Sequence, residues 1–484
     1  MKTNKIKIIA LLTGILFSAT AMAQNNAIGE YVNKMVEDPE VETATFAISV
    51  YNISKGQQIY DYNANKSMIP ASIVKIVTTS VGFDKLGKNF RFKTSLGYSG
   101  EVDKRGVLQG NVYIVGGGDP ILGSYRYKQT AIDSVFAAWK NALSEAGITK
   151  INKRICYDAS IFDEQALHDS WMWGDVGNYY GCGVHGLNIH ENMYFAHFDA
   201  GTQINRKATL TTTTPANVDV RNHVDVSTGP EKSGDGVVIY GDPSSNIRVC
   251  KGTVPLGKTN FKVRGAMPAP PKSCAEMFAK YLNNNNISVS NYVSEGLVRT
   301  QNITYLFDYY SPVYSDIATY TNQTSNNIYA ESIFKYLGYT KYKTGSFETG
   351  AYVIKDFLKE HSINTKGVRI VDGSGLSRQN MMTTRFMCNF LAEISKQPYY
   401  KDFVKTLPQI GKSGTAKNML KNQPVKQEIY IKTGSMNGIK TYAGYIINKK
   451  GELISFCFMA NNFECSQNKI SQKLEQILLM IIEQ

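Results

Sequence analysis

Apolar and polar residues alternate along "TFAISVYNISKGQQIYDYN" (Thr45 to Asn63), a period of two that predicts two strands joined by a turn near Ser54 to Gly56. A short amphipathic helix is expected before them, from Ala27 to Met35. After them, "IPASIVKIVTTS" (Ile69 to Ser80) is apolar from Ile73 to Val77 behind Pro70, as in the first turns of a buried helix. From about Phe90 the texture changes. "GVLQGNVYIVGGGDP" shows strand alternation ending in a Gly-rich turn, and "DSVFAAWKNALSEAGI" is helical up to Gly147. From Phe195 to Val263 the chain is rich in Thr, Val, Asn and Gly and reads as a small β module. The Pro-rich "MPAPPKS" (Met267 to Ser273) marks a boundary before a helix that reaches Tyr281. Helices dominate from about Tyr309. Then "QEIYIKTGS", "TYAGYIIN" and "ELISFCFMAN" read as three strands. In "ISQKLEQILLMIIEQ", Leu474, Ile477, Leu478 and Ile481 share one helical face, fit to cover a sheet.

The pattern predicts the α+β class: an antiparallel sheet covered by helices, built from both chain ends and interrupted by an insertion of about 200 residues. A chain of 484 residues is long enough for two or three domains and a large core.

Composition adds a compartment. Lys2, Lys5 and Lys7, the apolar run Ile8 to Ala19 and the small-x-small Ala21-Met22-Ala23 read as a signal peptide over residues 1–23. No later run reaches about 18 apolar residues, so no transmembrane segment is expected and the mature protein should be soluble in the periplasm. The formal charge of +13 includes the three leader lysines and favours a polyanionic envelope setting. Export and the lack of a dense basic block disfavour nucleic acid. Seven cysteines are an odd number, so at least one lacks an intramolecular partner. Cys388 and Cys457 sit in apolar contexts and look like buried thiols, whereas Cys156, Cys182, Cys250 and Cys274 could supply bridges. "CGVHGLNIH" (Cys182, His185, His190) invites zinc, but its spacing matches no strong template, so no metal or other cofactor is expected.

Lys75 stands in the middle of the apolar run. The plain reading is a side chain that snorkels to water from a helix edge. The sharper one notes Ser72, one helical turn earlier on the same face. A desolvated lysine has a lowered pKa and can take a proton from a neighbouring hydroxyl. Ser466 and Lys469 share the spacing, but they open a polar-faced helix with no apolar shroud.

Ser-x-x-Lys, then Ser-x-Asn, then Lys-Thr-Gly is the ordered set of penicillin-binding proteins and class A β-lactamases. Lys-Thr-Gly occurs twice. Lys343-Thr344-Gly345 lies in polar loop texture between helices, while Lys432-Thr433-Gly434 ends a strand, where backbone N–H groups can face a substrate. The second is the candidate. For the middle motif, Ser325-Asn326-Asn327 directly before a helix is favoured over Tyr320-Thr321-Asn322, which resembles the Tyr-x-Asn of class C β-lactamases.

"VGGGDP" (Val115 to Pro120), "SWMWGD" (Ser170 to Asp175), "SNNIYAESIFKYLG", "DGSGLSR" (Asp372 to Arg378) and "GKSGT" (Gly411 to Thr415) also occur in order. Together they resemble the penicillin-binding protein 4 family over essentially the whole mature chain. These are the class C low-molecular-mass penicillin-binding proteins, D-alanyl-D-alanine carboxypeptidases and endopeptidases. The resemblance implies a serine β-lactamase/transpeptidase-like catalytic domain (24–90 and 290–484) carrying two smaller inserted domains (91–194 with 264–289, and 195–263). It also implies Ser72 as acylated nucleophile and Lys75 as its base, Ser325 passing a proton to the leaving amine, and Asn327 holding the substrate amide and Lys75. Lys432 and Thr433 would bind the terminal carboxylate, and the N–H groups of Ser72 and Ser435, beside Gly434, would form the oxyanion hole. Asp175 and Arg378 fall where some members receive the free amino-acid end of a diaminopimelate side chain. Tyr180 and Asn437 stand where the family has an aromatic and a Gln.

The expected function is that of an exported serine D-alanyl-D-alanine carboxypeptidase/endopeptidase acting on peptidoglycan stem peptides through an acyl-enzyme and inhibited by β-lactams. A serine β-lactamase is the alternative, but it needs a placed base for deacylating water, and none is evident. A non-catalytic cell-wall binding protein is a third reading, disfavoured because Ser72 and Lys75 are both present. A Ser-His-Asp hydrolase is disfavoured because five of the six histidines lie in the insertion and no Gly-x-Ser-x-Gly elbow joins a strand to a helix.

Overall fold

The two N-terminal strands run Thr45–Asn52 and Gln57–Tyr62 and pair antiparallel. Their sheet is completed from the far end of the chain, by Ile429–Met436, Ile439–Ile447 and Leu453–Asn461. The order places Leu453–Asn461 against Thr45–Asn52 and leaves Ile429–Met436 on one edge. The computed structural model describes residues 27–216, 218–228, 236–291 and 302–483, so the leader read over residues 1–23 lies outside the described residues.

Both faces of this sheet are covered, which is why its strands are apolar beyond simple alternation. Phe46, Ile48 and Val50 face the C-terminal helix Gln467–Ile482, which buries Ile470, Leu474, Ile477, Leu478 and Ile481 as its periodicity requires. A helix over 27–36 adds Ile28, Val32 and Met35 to the same layer. The intervening Ala47 and Ser49 point the other way, onto the helices Thr384–Ile394 and Val74–Leu86. Among the described residues no helix is long and apolar enough to cross a membrane.

The insertion begins with a mixed sheet of Ser288–Asn291, Lys150–Asp158, Val112–Val115, Lys93–Tyr98 and Thr304–Tyr310, with Val107–Leu108 beside it. The helices Ile132–Glu145 and Pro270–Asn283 join through Trp139 and Phe278, whose rings meet edge to face. Two three-stranded sheets complete it. One is Phe261–Ala266, Met193–Asp199 and Thr209–Thr214; the other is Gly236–Tyr240, Ile247–Pro255 and Asp219–Ser227. Trp139, Phe278, Phe198, Val224 and Ile239 all belong to one buried apolar cluster, so the inserted parts share a core.

The return from the insertion differs from the sequence reading. Thr304–Tyr310 pairs antiparallel with Lys93–Tyr98, so a boundary at residue 290 falls inside the insertion sheet. The true crossing is at Phe92 and Ser311, where Ser311 N donates to Phe92 O (3.0 Å) and Phe92 N donates to Ser311 Oγ (2.9 Å). A strand's partner some 200 residues away leaves no local signal. The bridging option for Cys182, Cys250 and Cys274 is also corrected: each is a free buried thiol, as are Cys388 and Cys457.

Candidate active site

Ser72 lies in a single 3-10 turn, Ala71–Ile73, that runs into the α-helix Val74–Leu86 and so places Lys75 one turn on. Ala71 has φ +48°, a left-handed conformation costing a non-glycine residue roughly 1 kcal/mol. Its neighbours impose it. Thr441 Oγ1 donates to Pro70 O at 2.7 Å, and Gly375, itself at φ +82°, packs so closely that a Cβ there would sit 2.0 Å from Ala71 O.

Lys75 is sealed from solvent. Its Nζ lies 3.0 Å from Ser72 Oγ, 2.7 Å from Asn327 Oδ1 and 2.6 Å from Ser374 O. Burial pulls its pKa down to about 7, against the opposing charges of Glu331 and Asp372. Two of the three partners can only accept: the Ser374 carbonyl, and Asn327 Oδ1, oriented by Asn327 Nδ2 donating to Tyr180 O at 2.7 Å. A neutral amine has two N–H donors and one lone pair. With both donors committed to those oxygens, the lone pair is left for the Ser72 hydroxyl, the geometry a base needs.

The other wall comes from two further elements. Ser325 closes the helix Tyr314–Thr324 in a left-handed conformation (φ +57°), and Asn327 begins the helix Asn327–Tyr342. Lys432, buried on the edge strand, donates to Ser325 Oγ (2.8 Å) and to Thr433 O (2.8 Å). Burial and the nearby Lys75 push its pKa well down. Thr433 Oγ1 bonds Thr415 Oγ1 at 2.9 Å, and Lys440 Nζ donates to Ser435 Oγ at 3.0 Å. Gly434 is required by space, because a Cβ there would lie 2.2 Å from Thr441 Oγ1 and 3.0 Å from Ser72 N. The strand edge and the Ser72 N–H thus face each other across a gap that only glycine leaves open.

A second cluster adjoins the first through the Asn327–Tyr180 bond. Tyr180 OH donates to Asp175 Oδ1 at 3.3 Å, and Arg378 Nη2 donates to Asn437 O at 3.4 Å. Burial raises the Asp175 pKa, partly offset by Tyr180 and by the Arg378 charge. Asp175, Tyr180, Arg378 and Asn437 therefore converge, although they come from distant parts of the chain.

The competing motifs sit elsewhere. Lys343 is the left-handed cap of Asn327–Tyr342, and its Nζ reaches Thr340 O at 3.4 Å. Asn322 is buried in the fold, donating to Thr79 Oγ1 (3.0 Å) and Thr406 Oγ1 (2.9 Å). Ser466 caps the C-terminal helix, and Lys469 pairs with Glu40. Cys182 Sγ donates to Glu191 O, while His190 Nδ1 meets Met193 O at 3.0 Å. Among the described residues, no three His, Cys, Asp or Glu side chains are placed to hold a metal ion.

Two acidic residues that the motif reading passed over hold the site together. Glu331 accepts from Gly373 N and Ser374 N, both at 2.8 Å, and so aims the Ser374 carbonyl at Lys75. Asp372 accepts from Gly375 N (2.8 Å), Ser377 N (2.7 Å) and Trp171 Nε1 (2.9 Å), tying the loop to the insertion. Glu331 is four residues after Asn327 and four before Lys335, so the three polar groups share one helical face, on which Glu331 and Lys335 are buried. The spacing that singles out Ser72 and Lys75 would have flagged it.

The family model of D-Ala-D-Ala carboxypeptidase 3 (S13) matches residues 28–480. A D-alanyl-D-alanine carboxypeptidase of Actinomadura sp. (strain R39) is 25% identical over 445 residues, covering 89% of this chain and 80% of that protein. Penicillin binding protein 4 of Haemophilus influenzae superposes with a TM-score of 0.80 at 22% identity, covering 94% of this chain and 99% of that one. In complex with a β-lactam, the same protein superposes at 0.77 with the same identity and coverage. A predatory endopeptidase of Bdellovibrio bacteriovorus superposes at 0.53 with 17% identity, covering 91% of this chain and 93% of that one. The chain belongs to the D-Ala-D-Ala carboxypeptidase 3 (S13) family, and with it to the serine peptidases that act on peptidoglycan.

Proposed function

We propose that this protein is an exported, periplasmic serine D-alanyl-D-alanine carboxypeptidase/endopeptidase that works through an acyl-enzyme at Ser72 and is inhibited by β-lactams. The observation that carries the reading is the hydrogen-bond inventory of Lys75: two obligate acceptors at 2.7 and 2.6 Å, and one hydroxyl at 3.0 Å. Neutral Lys75 takes the Ser72 proton as Oγ attacks the penultimate D-Ala carbonyl. The oxyanion then meets the Ser72 and Ser435 N–H groups. Collapse breaks the C–N bond, and the leaving amine receives a proton through Ser325, whose Oγ is held by Lys432. Water then hydrolyses the ester. A substrate carboxylate at Lys432 and Thr433 would restore the charge that burial and Lys75 disfavour, so substrate binding itself favours a cationic Lys432 beside a neutral Lys75. Asp175 and Arg378 suit the ammonium and carboxylate of a diaminopimelate side chain.

Intact-protein mass spectrometry after incubation with benzylpenicillin tests this, with Ser72→Ala alongside. A long-lived adduct on the wild type, lost in the variant, is expected. Rapid turnover of the drug would mean a β-lactamase. Neither adduct nor turnover would mean a binding protein.

A further inference from the structure

Beside Ser325, on the side facing the insertion, a pocket of about 240 Å³ is lined by Arg126, Arg264, Tyr179, Tyr320, Thr324 and Ser325, among others. Its two arginines are not equivalent. Arg126 sits between Tyr125 and Tyr320 and grips Glu191 with both arms, Nε to Oε1 at 2.6 Å and Nη2 to Oε2 at 3.0 Å. Glu191 is buried and also accepts from Ser124 Oγ and Tyr329 OH, so its charge is spent on Arg126. Arg264, on the strand Phe261–Ala266, stacks its guanidinium on the face of Tyr179 at 3.6 Å. Among the described residues it meets no carboxylate. Stacking fixes the plane of the group and leaves its in-plane N–H donors for a ligand. The pocket therefore carries one uncompensated positive charge, presented by a flat, pre-oriented fork.

We infer that this pocket is a subsite for a carboxylate on the leaving-group side of the substrate, an inference that rests on the acyl-transfer reading above. The leaving amine is released at Ser325, which lines the pocket together with Asn327 and Tyr180. When the leaving group is a single D-Ala, its only carboxylate is the one met by Lys432 and Thr433. A leaving group that is itself a stem peptide carries further carboxylates and extends beyond Ser325. Arg264 thus favours cross-linked substrate over a terminal D-Ala, and the insertion supplies the residue that makes the distinction.

The test uses binding, so that it does not depend on turnover. A purified cross-linked muropeptide dimer and the corresponding uncross-linked pentapeptide monomer are titrated into Ser72→Ala and into Ser72→Ala/Arg264→Gln by calorimetry, after matching melting temperatures show that both fold. The dimer's Kd should weaken roughly tenfold in the double variant, the scale of one lost charge-assisted hydrogen bond, while the monomer's stays within twofold. A dimer amidated at its acceptor carboxylates should bind both variants equally. An equal change for dimer and monomer, no change for either, or no binding of the dimer to Ser72→Ala would overturn the subsite. Failure of the underlying reading would show separately, as absence of benzylpenicillin acylation on the wild type.

Discussion

Lys75 and Lys335 are both sealed inside the molecule, each on a helix of the catalytic domain, yet they are solvated in opposite ways. Lys335 has a counter-charge: its Nζ donates to Asp163 Oδ1 at 2.7 Å and to Gln165 O at 2.6 Å, and it lies over the ring of Phe347. That pair ties the Asn327–Tyr342 helix to the insertion. Lys75 donates to neutral oxygens alone, with the charges of Glu331 and Asp372 held further off. The contrast separates two uses of a buried lysine. Burial lowers the pKa of both, but a direct carboxylate opposes it at Lys335 and makes that side chain a tie; at Lys75 neutral acceptors leave burial unopposed at contact range, as the proposed base role requires.

Substituting each lysine should break the comparison in a different observable. Lys75→Met is expected to lower the benzylpenicillin acylation rate by roughly 10²- to 10⁴-fold while circular dichroism stays native. Undiminished acylation would remove Lys75 from the base role. Lys335→Met should do the reverse, costing about 2–3 kcal/mol of unfolding free energy because Asp163 loses its partner, at the low end because Asp163 keeps some exposure. Its acylation rate should stay within twofold, and Asp163→Asn in the same chain should recover part of the stability in denaturant melts. A rate collapse with unchanged stability would put Lys335 in the chemistry.

The pH profile sharpens the same point. Below about 7, Lys75 is an ammonium, its hydrogens occupy all three partners, and it cannot accept from Ser72. Acylation should therefore rise about tenfold per pH unit up to about 7 and level off above, when followed by stopped-flow with a chromogenic β-lactam. The smallest effect is expected from Lys343→Ala, in the unused Lys-Thr-Gly. Exposed and bonded to its own helix end, it should change stability by less than about 0.5 kcal/mol and acylation not at all.

Much of the site was legible because its parts are local. Ser72 and Lys75 meet since three residues make about one turn of any helix, and the apolar run around them required that turn to be buried. The five strands of the catalytic sheet and the covering face of the C-terminal helix follow from periods of two and of 3.6. What stayed illegible was long-range. The return strand Thr304–Tyr310 has its partner in Lys93–Tyr98, and no pattern within either segment names the other. Arg264 and Ser325 stand at one pocket although 60 residues and a domain boundary separate them.

The two Lys-Thr-Gly tripeptides mark that division most plainly. Their covalent chemistry is the same, and strand texture around the second was enough to prefer it. The tertiary structure alone caps a helix with Lys343 and drives Lys432 into a dry interior, 2.8 Å from Ser325 and close enough to Lys75 for that neighbour to disfavour its charge. Spacing along the chain determines which groups are available one turn or one strand apart. Desolvation and counter-charge, which turn a lysine into a tie, a cap or a base, depend on atoms brought in from hundreds of residues away, and those are set only when the sheet closes and the insertion docks.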